Sequence, residues 1–282
     1  MMKFIQTTPD ALGNSVNLFY TDLGRGKPVV FIHGWPLNHV MWEYQLAELP
    51  KHNLRCIAYD RRGFGMSDYP WEKYDYDTFA DDLKALLDQL HLTEVTLVGF
   101  SMGGGEIARY IGKYGNDKIS KVVLISAVTP FMLKTDDNPE GVDKEVFDEM
   151  VKNIDKDRPA FLEEFGKKFY GVSLFSGAVS EPTLAWNQSV CLMSSHKATV
   201  DCVKAFSETD FRSDLTMINV PTLIIHGDDD KIVPIEVSGN RTSMMLPNAK
   251  YIVYEDAPHG LFITEKDKLN MDLIDFINKN DV

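Results

Sequence analysis

Ser101 stands between two glycines directly after an apolar run, in the segment Gly99-Phe100-Ser101-Met102-Gly103. The run at 95–98 predicts a strand, and the residues after 103 predict a helix. A Gly-x-Ser-x-Gly segment between a strand and a helix is typical of a nucleophile elbow, a turn so tight that only small residues fit around the serine. The helix would direct its first amides at negative charge on the serine's substrate. The sequence therefore predicts a nucleophilic serine at position 101.

A serine hydroxyl is a weak nucleophile, so it needs a base and an acid that orients the base. With this kind of elbow, both partners follow the serine in the order acid, then histidine, each just after a strand. His259 lies in the Pro/Gly-flanked loop at 256–260 and is the predicted base. The acid is one of Asp228, Asp229 and Asp230. Three adjacent carboxylates cannot all be buried without strong repulsion, so one should point inward and two should face solvent.

Acyl transfer also needs hydrogen-bond donors for the oxyanion. One predicted donor is the backbone N–H of Met102, the residue after the nucleophile. The second should come from the loop after an early strand, where His33-Gly34-Trp35-Pro36 follows the apolar run at 28–33. The backbone N–H of Trp35 is therefore the second predicted donor, and its indole is expected to line the pocket. Pro36 restricts the backbone of the residue before it, which would set the direction of the Trp35 carbonyl.

The elements that must position these groups alternate along the chain. Candidate strands lie at 15–22, 28–33, 54–60, 95–100, 121–127, 221–226 and 249–254. Candidate helices lie between them, including 76–90, 101–114 and 265–277. The middle five strands are almost continuously apolar, as parallel strands covered on both faces are. The predicted fold is α/β, with a mostly parallel, doubly wound sheet of about eight strands.

This alternation stops between about residues 131 and 214, where only helical patterns are found. Phe161, Phe165 and Phe169 recur at the spacing of one helix face. We predict a helical cap at 131–214, inserted before the strand that carries the acid, and a core formed by 1–130 and 215–282.

The net charge of −13 argues against nucleic acid and anionic membrane surfaces as partners. The three cysteines are sparse, which suits a reducing cytosol, and none has metal-ligand spacing. No signal-peptide core and no run of transmembrane length is visible. We therefore expect a cytoplasmic protein without a metal. The sequence leaves open whether it is a monomer or a homo-oligomer.

At these residues the chain resembles the α/β-hydrolase superfamily nearly end to end. Within it, the chain is similar to the bacterial cofactor-free haloperoxidases (non-haem chloroperoxidases), arylesterases and perhydrolases. The matching stretches lie at 33–45, 59–71, 95–111, 197–212, 226–234 and 256–260. The resemblance implies that Asp230 is the acid and that the amides of Trp35 and Met102 bind the oxyanion. It also implies a substrate pocket lined by Trp35, Val128, Phe165, Phe169, Phe206, Ile232 and Val233. Met132 and Met150 stand where relatives often carry further aromatics, so the preferred acyl size stays open.

The activity that the resemblance implies is hydrolysis of carboxylic, especially aryl, esters through an acyl-enzyme, without a cofactor. Peroxide in place of water would give a peracid, which can oxidise halide. The expected partners are thus a small-molecule ester, or a carboxylic acid plus peroxide. Two alternatives share the same residues: a C–C or amide (lactam) hydrolase, and a hydrolase-like receptor that binds a ligand and closes its lid.

Overall fold

The computed structural model describes residues 2–173 and 178–279, and a single eight-stranded sheet organises them. In chain order the strands are β1 (Lys3–Thr7), β2 (Val16–Gly24), β3 (Lys27–Ile32), β4 (Leu54–Tyr59), β5 (Val95–Phe100), β6 (Ile119–Ile125), β7 (Thr222–Gly227) and β8 (Lys250–Tyr254). Their order across the sheet is β1-β2-β4-β3-β5-β6-β7-β8. Strand β2 runs antiparallel to both of its neighbours, and β3 to β8 are parallel. The predicted fold class is confirmed.

The seven predicted strands are all present, with ends shifted by at most two residues. The sequence analysis did not locate β1, an edge strand of five residues in which Ile5 is the one buried side chain. A short edge strand with one face in solvent has little apolar pattern to detect.

Successive side chains of each central strand enter two different cores. In β3, Val30 and Ile32 face the helices α2 (Tyr76–Gln89), α3 (Met102–Tyr114) and α8 (Gly239–Met245). Val29 and Phe31 face the other core, which includes residues of α9 (Leu261–Thr264) and α10 (Lys266–Asn278). This two-sided burial explains why the strands read as continuous apolar runs rather than as alternating patterns. On the second face, α1 (Glu43–Glu48) lies between short 3-10 helices at His39–Trp42 and Leu49–His52.

In the described part of the chain between β6 and β7 there are four helices: α4 (Lys144–Phe169), α5 (Glu181–Leu192), α6 (His196–Glu208) and α7 (Arg212–Leu215). Helix α4 is bent at Asp157, whose backbone is extended rather than helical and which precedes Pro159 by two residues. The bend divides the helix into two segments. None of the helices in the described residues has both the length and the hydrophobicity needed to cross a bilayer.

Candidate active site

Ser101 occupies the turn between β5 and α3, in a backbone conformation that an L-residue rarely adopts, with φ of 53° and ψ of −117°. The two flanking glycines make the turn possible. A Cβ atom on Gly99 would lie 2.6 Å from the carbonyl oxygen of Gly103, and one on Gly103 would lie 2.4 Å from that of Ile32. Both distances are too short for any side chain. The sequence pattern thus reflects a steric requirement of the turn.

His259 lies within hydrogen-bond distance of both predicted partners. The Ser101 hydroxyl donates to His259 Nε2 across 3.0 Å, and His259 Nδ1 donates to Asp230 Oδ2 across 2.6 Å. All three residues are buried, with relative exposures of 6% for Ser101, 1% for His259 and 5% for Asp230. Serine, imidazole and carboxylate therefore form one continuous chain, in which the imidazole can accept the hydroxyl proton while the carboxylate fixes its orientation.

The loop after β7 separates the three adjacent aspartates. Asp230 points inward, and its Oδ1 accepts backbone N–H groups of Ile232 and Val233 at 2.9 and 2.8 Å. Asp229 instead forms a surface ion pair with Lys231, at 2.7 Å. Asp228 accepts the Asp256 amide at the sheet edge.

Asp230 has a second imidazole neighbour, because His226 Nε2 lies 3.3 Å from its Oδ2 and 2.9 Å from the Val233 carbonyl oxygen. Burial by itself would raise the pKa of Asp230. Electrostatic attraction to His259 and the hydrogen bonds from both histidines outweigh burial and hold that pKa below its ordinary value. The carboxylate therefore stays ionised, as an orienting acid must.

The two predicted oxyanion donors have no competing acceptor among the described residues. Met102 is the first residue of α3, where backbone amides have no intrahelical partner. Trp35 follows β3 in the neighbouring loop, next to the elbow on the sheet. Neither amide donates to a described backbone or side-chain acceptor. Both are available to a substrate oxygen.

The Trp35 side chain turns away from its own loop and enters the helical segment above the sheet. Its indole Nε1 donates to the Thr199 carbonyl oxygen in α6 across 2.9 Å. Its ring meets Phe165 and Phe206 edge-on, with centroids 5.3 and 5.6 Å apart. Trp35 therefore joins the loop that carries its amide to the helices above it.

A cavity of about 450 Å³ opens directly above Ser101. Six of the seven predicted pocket residues line it: Trp35, Val128, Phe165, Phe206, Ile232 and Val233. Phe169, the seventh, is not among the residues that line this cavity. Its ring packs against the His259 imidazole, with centroids 4.8 Å apart, and its backbone carbonyl accepts the Gly260 amide at 2.8 Å.

The sequence analysis did not assign several other wall residues. Helix α4, the loop before it and the loop after β7 contribute apolar side chains, and three charged side chains also reach the wall. These are Met132, Val142, Val146, Phe147, Met150, Phe161 and Pro234, together with Glu164, Lys168 and Lys231. An i, i+4 and i, i+7 apolar pattern in α4 was available as a signal, but it cannot distinguish a cavity wall from a packed core. No group of His, Cys, Asp or Glu within residues 2–173 and 178–279 has an arrangement suited to a metal ion.

The model of the alpha/beta hydrolase fold family matches residues 27–266. The chain belongs to this family. A non-heme chloroperoxidase from Kitasatospora aureofaciens is 43% identical, over 94% of this chain and 98% of the relative. A bifunctional esterase/perhydrolase from Acinetobacter calcoaceticus is also 43% identical, over 94% of this chain and 97% of the relative. The crystal structure of a bromoperoxidase from Bacillus anthracis superimposes with a TM-score of 0.94, at 46% identity, covering 99% of this chain and 100% of the other.

Proposed function

We propose that this alpha/beta hydrolase cleaves carboxylic esters through an acyl-enzyme on Ser101 and also forms peracids at the same site. The observation that carries the proposal is the unbroken chain from Ser101 to His259 to Asp230 beneath an apolar cavity. The names of the relatives support both halves, since they include a bifunctional esterase/perhydrolase and non-heme chloroperoxidases. A hydrolase-like receptor or a hydrolase of other bonds has no comparable support.

In the proposed first half-reaction, His259 Nε2 accepts the Ser101 proton while Oγ attacks the ester carbonyl. The oxyanion of the tetrahedral intermediate lies between the amides of Trp35 and Met102. The hydrogen bonds from these amides become strongest when the negative charge forms on the oxygen. Asp230 stabilises the imidazolium and holds its tautomer. When the intermediate collapses, His259 returns the proton to the leaving alcohol, and the acyl group stays on Ser101.

In the second half-reaction, His259 deprotonates the incoming nucleophile. Water gives the carboxylic acid. Hydrogen peroxide gives the peracid RCO₃H, which reacts with halide and a proton to form RCOOH and the hypohalous acid. Halide oxidation is thus a reaction of the released product and needs no halide site. The sparse, buried cysteines support a reducing cytoplasmic location for this chemistry.

A panel of aryl esters of increasing acyl length, assayed with and without peroxide, tests the proposal. Ester cleavage is followed by phenol release and peracid by oxidation of a thioether reporter. Ser101→Ala should lower kcat for both by roughly 10⁴-fold or more, because one member of a catalytic triad is lost. Ser189→Ala, on the exposed face of α5, is the matched control and should keep full activity. Peracid formation that survives in folded Ser101→Ala would place that chemistry outside this site.

A further inference from the structure

The peptide unit between Gly34 and Trp35 contains the proposed oxyanion donor, and its other end is fixed. The Gly34 carbonyl oxygen accepts the Leu37 amide at 3.0 Å and lies 2.9 Å from His33 Nδ1. In a trans peptide the C=O and N–H groups point in opposite directions. Holding the carbonyl therefore determines where the Trp35 N–H points.

Arg61 determines the tautomer of His33. The Arg61 backbone N–H donates to His33 Nε2 across 2.9 Å, so this nitrogen is unprotonated. The proton must then be on Nδ1, where it can be donated to Gly34. Burial and the nearby Arg61 charge hold the pKa of His33 well below its ordinary value, so the imidazole stays neutral in this one tautomer.

The Arg61 side chain joins this loop to the helix that follows Ser101. Its Nη2 donates to the His33 carbonyl oxygen at 3.0 Å. Its Nε and Nη2 lie 2.8 and 2.6 Å from Oε2 of Glu106. Glu106 is in α3, four residues after Met102, and Tyr59 also donates to it. Arg61 and Glu106 are both fully buried, so solvent does not screen the pair.

A second buried ion pair involves the next residue, Arg62, and no hydrogen bond among the described residues joins it to the loop at 33–37. Arg62 Nη2 is 2.6 Å from Asp82 Oδ1, and both side chains are fully buried. Arg62 Nη2 also donates to the carbonyl and hydroxyl oxygens of Thr8, and the Thr7 hydroxyl donates to Asp82. The two pairs have similar burial and chemistry but connect different parts of the molecule.

We propose that the Arg61–Glu106 ion pair is a positioning element of the oxyanion hole. It holds the loop that carries the Trp35 amide against the helix that carries the Met102 amide. The inference rests on the proposed function, because the two amides matter only if an oxyanion forms between them.

The test compares two double variants that neutralise each pair in the same way, Arg61→Met/Glu106→Gln and Arg62→Met/Asp82→Asn. Removing both charges of a buried pair avoids the unpaired charge that makes single removals so destabilising. In the first variant we expect kcat to fall roughly 10- to 100-fold with KM changed less than threefold, since a misdirected donor affects the transition state and not substrate binding. The affinity for an aryl boronic acid, which forms a tetrahedral anion on the serine, should fall in proportion to kcat.

The second variant should keep kcat and boronic acid affinity within about twofold of the wild type. An equal loss of kcat in both double variants, or an unchanged kcat in the first, would overturn the inference. If the first variant does not fold, the single variant Glu106→Gln replaces it, because glutamine keeps the side chain's shape and one acceptor oxygen but removes the charge. An unchanged kcat in Glu106→Gln would equally overturn the inference. A wild type that cleaves no ester in the panel would contradict the proposed function instead.

Discussion

The proposed catalytic groups and the wall of the cavity above them are held in place by different kinds of contact. His259, Asp230 and the Gly34–Trp35 peptide each have hydrogen bonds of 2.6–3.0 Å to fixed neighbours. The α4 wall of the cavity is organised mainly by rings, such as Phe161 stacked on Phe165 with centroids 5.7 Å apart. Hydrogen bonds are directional and hold individual atoms in position, whereas the packing of rings determines only the shape and volume of the cavity. We therefore expect substitutions below the cavity to change the rate, and those above it to change which acyl group is accepted.

The largest expected effect concerns the buried carboxylate of Asp230, which we propose orients His259. Asp230→Asn should lower kcat by roughly 10³–10⁴-fold, because the imidazole then loses its orienting charge. Asp229→Asn, which removes only a surface ion pair, should stay within about twofold. Steady-state kinetics on one aryl ester measure both, with thermal unfolding as the check on folding. A crippled Asp229→Asn beside an active Asp230→Asn would show that the acid is wrongly assigned.

A substitution in α4 should alter acyl selectivity without altering the chemistry. Met150→Trp enlarges a side chain in the cavity wall. We expect kcat/KM for a hexanoyl ester to fall about 10- to 100-fold, the range of a steric misfit in an apolar pocket, and that for an acetyl ester to fall less than threefold. Lys152→Trp places the same ring on the exposed side of α4 and should leave both values unchanged. Equal losses on both esters with Met150→Trp would place this methionine in the chemistry rather than in selection.

Pro36 tests whether the loop also influences the choice between water and peroxide. We propose that the Trp35 carbonyl accepts a hydrogen bond from peroxide. In Pro36→Leu the Trp35 backbone loses its restriction, so this carbonyl would no longer be held in place. One hydrogen bond of ordinary strength corresponds to a roughly 2- to 12-fold lower ratio of peroxide-dependent to water-dependent turnover. The ratio is measured on a single ester by competition. An unchanged ratio would leave Pro36 as a rigid turn residue only.

Thiol labelling tests whether the helices between β6 and β7 open independently of the sheet. This is the smallest expected effect, because we expect no labelling of the native protein. Cys56 lies in β4, Cys191 and Cys202 lie in α5 and α6, and all three are buried. Burial raises the pKa of Cys56 and of Cys191 to about 12 and raises that of Cys202 as well. Because only the thiolate reacts, a disulfide reagent at pH 8 should label none of them within minutes, against complete labelling in urea. Rapid labelling of the two helical cysteines alone would reveal a cap that opens independently of the sheet.

Much of this arrangement could be read from the sequence because the relevant signals are local. The elbow around Ser101 follows from steric limits within five residues, and the apolar runs locate the parallel strands. The inward aspartate could not be chosen locally, since Asp228, Asp229 and Asp230 have the same chemistry and only the family resemblance separated them. The position of Phe169 against His259, outside the cavity wall, could not be read from the sequence, because a helical face shows that a ring is buried but not which neighbours it contacts.

The contact between Arg61 and Glu106 joins residues 45 positions apart. No periodicity connects them, so this ion pair could be found only in the folded molecule. Sequence patterns thus located the proposed catalytic groups, while the hydrogen bonds that orient them depend on tertiary structure.

The double attachment of Trp35 has a consequence for protein engineering. Its backbone N–H is the proposed donor to the substrate oxyanion, while its indole donates to the Thr199 carbonyl oxygen in α6. Exchange of the whole cap for that of a distant relative would therefore also release the tryptophan ring from its acceptor. The predicted cap therefore cannot be exchanged by itself. A functional chimera must either provide a carbonyl acceptor for the Trp35 indole or replace Trp35 together with the transplanted helices.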